Sequence, residues 1–125
     1  MQISLRPADL IPMAGGRVTV DSGTREIRII ATGLPDIETV NLNETNDRAV
    51  YQVWWLRSEE LQPAKLGVLT PGLDKTHFLN VVVSRETLIQ ITGILVTIEN
   101  QSGIVAPSDR VVLTAEVPKP LQNKA

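Results

Sequence analysis

Val50-Tyr51-Gln52-Val53-Trp54-Trp55-Leu56 is the stretch on which the reading of this chain turns. It carries Tyr51, Trp54 and Trp55, three of the four aromatic residues in the protein, so no other segment offers comparable chemistry. A strand alternates its faces. Tyr51, Val53 and Trp55 therefore point one way, and Gln52, Trp54 and Leu56 point the other. Adjacent indoles on opposite faces require one of two arrangements. Either this is a central strand covered on both sides, or it is a core strand that keeps one indole for a partner.

The rest of the composition narrows the fold. The 125 residues amount to one domain. Hydrophobic residues make up 42% and charged residues 21%, which is globular rather than disordered. With aromatics at 3%, Val, Ile and Leu must build the core. Together with Thr they suit a pleated surface better than a helix. The net charge is −2 and no Lys/Arg run occurs, which argues against binding a phosphate backbone. Cysteine is absent, which excludes disulfides, thiolate catalysis and Cys-based metal sites. No stretch approaches the ~20 apolar residues of a membrane helix. Residues 1–9 lack the basic-then-apolar pattern of a secretion signal.

Outward from the Tyr-Trp-Trp strand, short alternating runs are punctuated by Gly, Pro and Asn. Residues 1–15 read as an extended lead-in. Arg17–Asp21, Glu26–Thr32, Lys65–Leu69, His77–Val83, Gly93–Glu99 and Arg110–Val117 read as strands. Ser22-Gly23-Thr24 is turn chemistry, and Thr70-Pro71-Gly72-Leu73 places Pro and Gly where a type II turn prefers them. Residues 36–48 form a polar loop. Ser84 is an N-cap with Glu86 in the first turn of a short helix. Pro118 and Pro120 end the last strand, and residues 119–125 form a frayed tail. Seven short strands with almost no helix predict an all-β domain over 16–118: a two-sheet antiparallel, immunoglobulin-like sandwich with one helical turn.

The order of several pieces resembles the C-terminal domain of the anti-sigma-K factor family. Gly33-Leu34-Pro35 precedes Tyr51-Gln52-Val53-Trp54, as a Gly-Leu-Pro turn precedes a Tyr-Gln-Leu-Trp strand in that family. Leu66-Gly67-Val68-Leu69 matches its Gly-centred strand. Ile94-Leu95-Val96-Thr97-Ile98-Glu99 matches its Val-Thr-Val-Glu strand, and leads through Ser102-Gly103 to Ala106-Pro107-Ser108. The pieces span about residues 26–117. The family's Gly-Gly pair is reduced here to Gly103. The resemblance implies an extracytoplasmic sandwich that, in the family, is attached to a membrane helix and a cytoplasmic clamp for the sigma factor. It carries over the outer, sensory portion. The expected location is extracytoplasmic if a membrane-anchored parent carries the domain, and cytoplasmic otherwise.

Candidate sites are few. His77, Asp74 and Ser84 contain the residue types of a hydrolytic triad, but no Gly-x-Ser-x-Gly elbow accompanies them, so His77 reads as a strand-end histidine. Glu59-Glu60 and the acidic residues of 36–48 lack an EF-hand pattern and read as solvated loops. Asn43-Glu44-Thr45 and Asn100-Gln101-Ser102 match the glycosylation triplet, which arises often by chance. Trp54 and Trp55, flanked by Gln52 and Arg57, are the expected partner-binding residues. The competing reading puts one indole in the core and the other under the loop at 36–48. No catalytic residue, cofactor or metal is expected. The reading that results is a non-enzymatic protein-interaction domain in a signalling pathway. The alternatives are a carbohydrate- or small-ligand-binding module and a self-assembling structural unit.

Overall fold

The computed structural model describes residues 1–35, 49–57, 62–100, 104 and 106–118. Nine strands and one helix appear among them: β1 (Gln2–Pro7), β2 (Gly15–Asp21), β3 (Glu26–Thr32), β4 (Ala49–Leu56), β5 (Ala64–Val68), β6 (Thr70–Pro71), β7 (His77–Val82), α1 (Arg85–Gln90), β8 (Gly93–Asn100) and β9 (Val111–Glu116). The strands form one antiparallel sheet in the order β5-β4-β8-β9-β1-β2-β3-β7-β6. The expected all-β class holds. The polar loop at 36–48, the Glu59-Glu60 pair and the tail at 119–125 lie outside the described residues.

Two strand switches bring this sheet close to closure. β1 pairs with β2 from Gln2 to Leu5, then with β9 at Arg6 and Pro7. The second switch runs through Leu69. β5 pairs with β4, the Leu69 N–H donates to the Tyr51 carbonyl at 3.0 Å, and β6 then pairs with β7. Leu5 and Leu69 are both buried at these corners. The two ends of the sheet, β5 and β6, are thus one extended run of chain that leaves β4 and joins β7.

Alternation places the core. Val18 and Val20 of β2, Ile27, Ile29 and Ala31 of β3, Tyr51, Val53 and Trp55 of β4, and Ile94, Val96 and Ile98 of β8 belong to one buried cluster. Each such aliphatic side chain contributes roughly 1.5–3 kcal/mol on burial. α1 starts where the sequence places it. The Ser84 hydroxyl accepts the Thr87 N–H at 3.1 Å, and Leu88 turns inward. Without a Cβ, Gly67 lets the Leu79 side chain of β7 lie against β5 (a Cβ there would come within 2.9 Å of it), which packs the seam where backbone pairing stops.

Three features depart from the sequence reading. β1 lies inside the segment read as a lead-in, and β6 lies inside the segment read as a turn, so there are nine strands rather than seven. The turn itself falls further along the chain. Asp74 and Lys75 have φ of 56° and 60°, and the Thr76 N–H donates to the Leu73 carbonyl at 3.0 Å. Two successive positive-φ residues closed by that bond have the form of a type I′ turn, whose twist matches its flanking strands. Pro71 therefore remains in the strand. The third departure concerns alternation in β9, where Val112 and Leu113 are both buried. A register shift opposite Val96/Thr97 inserts an extra residue there.

Gly16 should not tolerate a side chain. Its φ is 154°, and a Cβ would overlap the Ile30 carbonyl oxygen in the neighbouring strand. Gly15 has open space at the same point. Gly16→Ala should destabilise the protein by about 2–4 kcal/mol, against less than about 0.5 kcal/mol for Gly15→Ala. Urea midpoints of the two variants check this.

The β2–β3 turn is held by Asp21, whose Oδ1 accepts the Gly23 N–H at 2.9 Å and the Thr24 N–H at 3.2 Å. The backbone donors of Thr24 and Gly23 hold its carboxyl below the usual carboxylate value. A depressed folded value means that the contribution is present above the unfolded value of about 3.9 and is lost as pH falls through the folded one. Unfolding titrations from neutral to strongly acidic pH should show this loss in the parent protein. Asp21→Asn should remove that part of the slope.

Candidate functional site

β4 is the central strand of its half of the sheet, paired with β5 on one side and β8 on the other. Five successive residues, Tyr51 to Trp55, are buried, so both faces of the strand are covered. Trp54 is 1% exposed and Trp55 8%. Trp55 joins Tyr51 and Val53 in the hydrophobic cluster. Trp54 lies on the opposite face, with Gln52, in a polar setting. The expected cover for the second indole, the loop at 36–48, falls outside the described residues.

A chain of hydrogen bonds occupies that second face. The Trp54 Nε1–H donates to Thr97 Oγ1 at 2.8 Å. The Thr97 hydroxyl in turn donates to Glu99 Oε2 at 2.6 Å. The same carboxylate oxygen accepts the Ser108 N–H at 2.7 Å. Ser108 Oγ donates to the Ile98 carbonyl at 3.0 Å and accepts the Arg110 N–H at 3.2 Å, which ties the connection before β9 back onto β8. Gln52, opposite Thr97 in the ladder, is 3% exposed and donates Nε2 to the Val53 and Gly67 carbonyls at 3.1 and 3.0 Å.

This geometry follows from strand parity. Gln52 and Trp54 alternate onto one face of β4, and Thr97 and Glu99 onto the adjoining face of β8. Thr97 sits diagonally from Trp54, within reach of a long side chain. Register shifts occur on both sides of this point, at Val53/Trp54 against β5 and at Val96/Thr97 against β9. Bulges sharpen local twist and re-aim side chains. Thr97 and Glu99 were legible as two polar residues two apart in an otherwise apolar strand, but alternation alone reads that face as solvent-facing.

The four expected partner-binding residues do not form one open platform. Gln52 and Trp54 share the polar face, while Trp55 is on the core face. Arg57 lies beyond the end of β4, half-buried. Its guanidinium carbon is 5.5 Å from the centroid of the Trp55 ring, a cation–π distance, and its Nε donates to the Gln62 carbonyl at 3.1 Å. Neither indole offers a free face for stacking.

His77, Asp74 and Ser84 occupy three different structural settings. His77 is buried at the start of β7, its ring edge-on to Tyr51 at 5.0 Å between centroids. Asp74 is in the exposed I′ turn and Ser84 caps α1. The Tyr51 hydroxyl donates to the Pro35 carbonyl at 2.7 Å. Among the described residues, no group of three His, Asp or Glu side chains converges as a metal site would require. No helix among them is long and apolar enough to cross a membrane. The chain matches no family model, and no curated protein or solved structure is detectably similar to it.

Thr97 is the joint of the chain, since it both accepts and donates. Thr97→Val keeps the shape but strands a buried indole N–H and removes a donor to a buried carboxylate. It should destabilise the protein by about 2–3 kcal/mol. Thr97→Ser keeps the hydroxyl and loses one methyl, at about 1 kcal/mol. Chemical denaturation of the pair distinguishes a hydrogen-bonding role for Thr97 from simple packing.

Proposed function

We propose that this chain is a non-enzymatic protein-interaction domain, akin to the outer, sensory domain of anti-sigma-K factors. One observation carries the reading. The sequence pieces that bear the resemblance are bonded to one another in space. The Gly33-Leu34-Pro35 turn receives the Tyr51 hydroxyl. Gln52 holds Gly67, the glycine of the second piece. Trp54 is linked through Thr97 and Glu99 to Ser108, the end of the third. Motifs scattered over the chain and joined in this way are what a shared framework requires. A chance match of separate turns does not require it.

The same framework supports a two-layer, immunoglobulin-like arrangement of the nearly closed sheet. β2, β3, β7 and β6 would form one layer and β5, β4, β8 and β9 the other, with the switches at Leu5 and Leu69 as the corners. In this reading the polar chain of β4 and β8 is scaffold, and recognition falls to loops, turns and strand edges. Its setting is a signalling pathway at the cell envelope, with a protein as partner. The carbohydrate-binding alternative needs an exposed indole, which neither Trp54 nor Trp55 supplies.

Site-specific photo-crosslinking in the source cells tests the proposal. A crosslinker at exposed Leu73, in the I′ turn, should capture a discrete envelope or regulatory protein. Capture of metabolic enzymes alone, or glycan binding that quenches tryptophan emission saturably, would contradict it.

A further inference from the structure

One end of the sheet leaves its outer face open. β1, β2, β3, β7 and β6 lie side by side there. Their inward residues, among them Val18, Ile27 and Ile29, are fully buried. The residues that alternate with these point outward. Ser4 stands opposite Arg17, Arg17 opposite Ile30, Ile30 opposite Phe78, and Phe78 opposite Thr70. They form one row across the five strands. Ile30 and Phe78 are each 46% exposed. The Val83 N–H donates to the Arg25 carbonyl, so the bonded pairs of β3 and β7 fall at odd positions. Ile30–Phe78 is therefore a non-hydrogen-bonded pair, where side chains approach most closely. The Phe78 ring also lies against Gly72, where a Cβ would be 3.5 Å from it. By contrast, the outward residues of β4 and β8, Gln52, Trp54, Thr97 and Glu99, are all buried.

Charge decides what this row suits. Arg6, Arg17 and Arg28 are exposed on the same face, and its acidic residues are Asp21 and Glu26. Arg28 is answered by Glu26 at 2.7 Å. Asp21 Oδ1 accepts the Gly23 and Thr24 N–H groups of its own turn. Arg6 and Arg17 meet no carboxylate among the described residues. A chain of net charge −2 thus shows cations without counter-ions beside its open apolar pair. A symmetric contact with the same face of a copy would set cation against cation. Anionic lipid surfaces are recognised by clusters of about 4–8 cations, and nucleic acids by a longer basic stripe than this. The complement is a carboxylate beside an apolar side chain.

We propose, resting on the protein-interaction reading above, that this face docks an extended acidic segment of a protein partner. An aromatic or large aliphatic side chain of the segment lies on the Ile30–Phe78 pair, and a carboxylate meets Arg17. Neighbouring strands stand about 4.8 Å apart, which puts the backbone of Arg17 roughly 7 Å from the midpoint of that pair. Side chains two apart on an extended peptide share a face at about 6.8 Å. A segment that crosses the strands, with an acidic residue two positions from its apolar anchor, therefore meets both features at once. No backbone pairing is involved, so Thr70 and Phe78 keep the ladder they already share. Through Gly72 the face is continuous with the exposed turn at Leu73. The contact is small beside a stable interface of about 800 Å² per partner, so binding is weak and reversible.

Two-dimensional NMR of the full chain, titrated with the end-capped peptide Thr-Asp-Thr-Phe-Thr-Asp-Thr, tests this residue by residue. The amides of Arg17, Ile30 and Phe78 should shift saturably, with Kd on the order of 100 µM, and added salt should weaken binding. The same peptide with Lys in place of Asp should bind the parent protein at least about tenfold more weakly. Arg17→Glu and Phe78→Ser each change an exposed side chain, and each should weaken binding at least about tenfold. Lys65→Glu makes the same kind of charge reversal on β5 and should leave binding unchanged. No saturable shift up to about 5 mM peptide, equal binding of the Lys peptide, or equal loss in Lys65→Glu would overturn the proposal. So would tighter binding of phosphatidylserine vesicles, or concentration-dependent dimerisation that Phe78→Ser abolishes, since the occupant would then be a membrane or a second copy. Crosslinking at Leu73 separates this proposal from the reading it rests on. A regulatory protein captured equally well by Arg17→Glu would leave the interaction domain standing and overturn the site. Peptide binding as described with no such protein captured would support the site and contradict the signalling role.

Discussion

The hydrogen-bonded run from Trp54 through Thr97 to Glu99 and Ser108 is the constraint on which the arrangement depends. A buried indole N–H and a buried carboxylate are each costly without partners, commonly by 1–3 kcal/mol or more. Here each answers the other through one threonine hydroxyl. The consequence is positional. Trp54 can be covered only if β4 and β8 keep their register, and Glu99 is satisfied only if Ser108 returns to the sheet. Polar satisfaction on this face thus fixes what the apolar cluster on the other face leaves free, since Ile, Val and Leu pack with many neighbours.

The two strand switches complete the same logic. A long twisted sheet must curl or divide to bury one face. At Leu5 and Leu69 the chain moves from one neighbour strand to another while keeping its side chain inside. The paired register shifts at Val53/Trp54 and Val96/Thr97 flank the polar run on both sides. Local twist, buried polarity and a central strand coincide at one level of the sheet. The exposed apolar side chains Leu73, Phe78 and Val82 lie at the margins rather than in this crowded interior.

Much of the strand pattern was visible in the sequence because period-two alternation is strong where one face is buried. Glu26–Thr32 and the start of Gly93–Asn100 emerge with their observed bounds, and Ser84 marks the start of α1. β1 was obscure because Pro7 and the Pro, Met and Gly residues that follow break any period. β6 was obscure because Pro71-Gly72 imitates a turn, while the true turn uses Asp74 and Lys75, neither of which advertises positive φ strongly. The site was harder. Residue type pointed to Trp54, Trp55, Gln52 and Arg57, but type alone does not tell an indole that binds from one that is bound. The decisive residues, Thr97 and Glu99, looked like an ordinary solvent face. Only the pairing of β8 beside β4 turns them into partners.

Hydrogen exchange at the Trp54 indole addresses the central claim most directly, because that proton is the first donor in the chain. If Trp54 Nε1–H is held by Thr97 beneath a covered face, its exchange should be slowed to the level of the most protected backbone amides of β4 and β8, tracking global unfolding. Exchange at the rate of a solvent-exposed indole in the native protein would contradict the account, and with it the proposal that this polar face is scaffold.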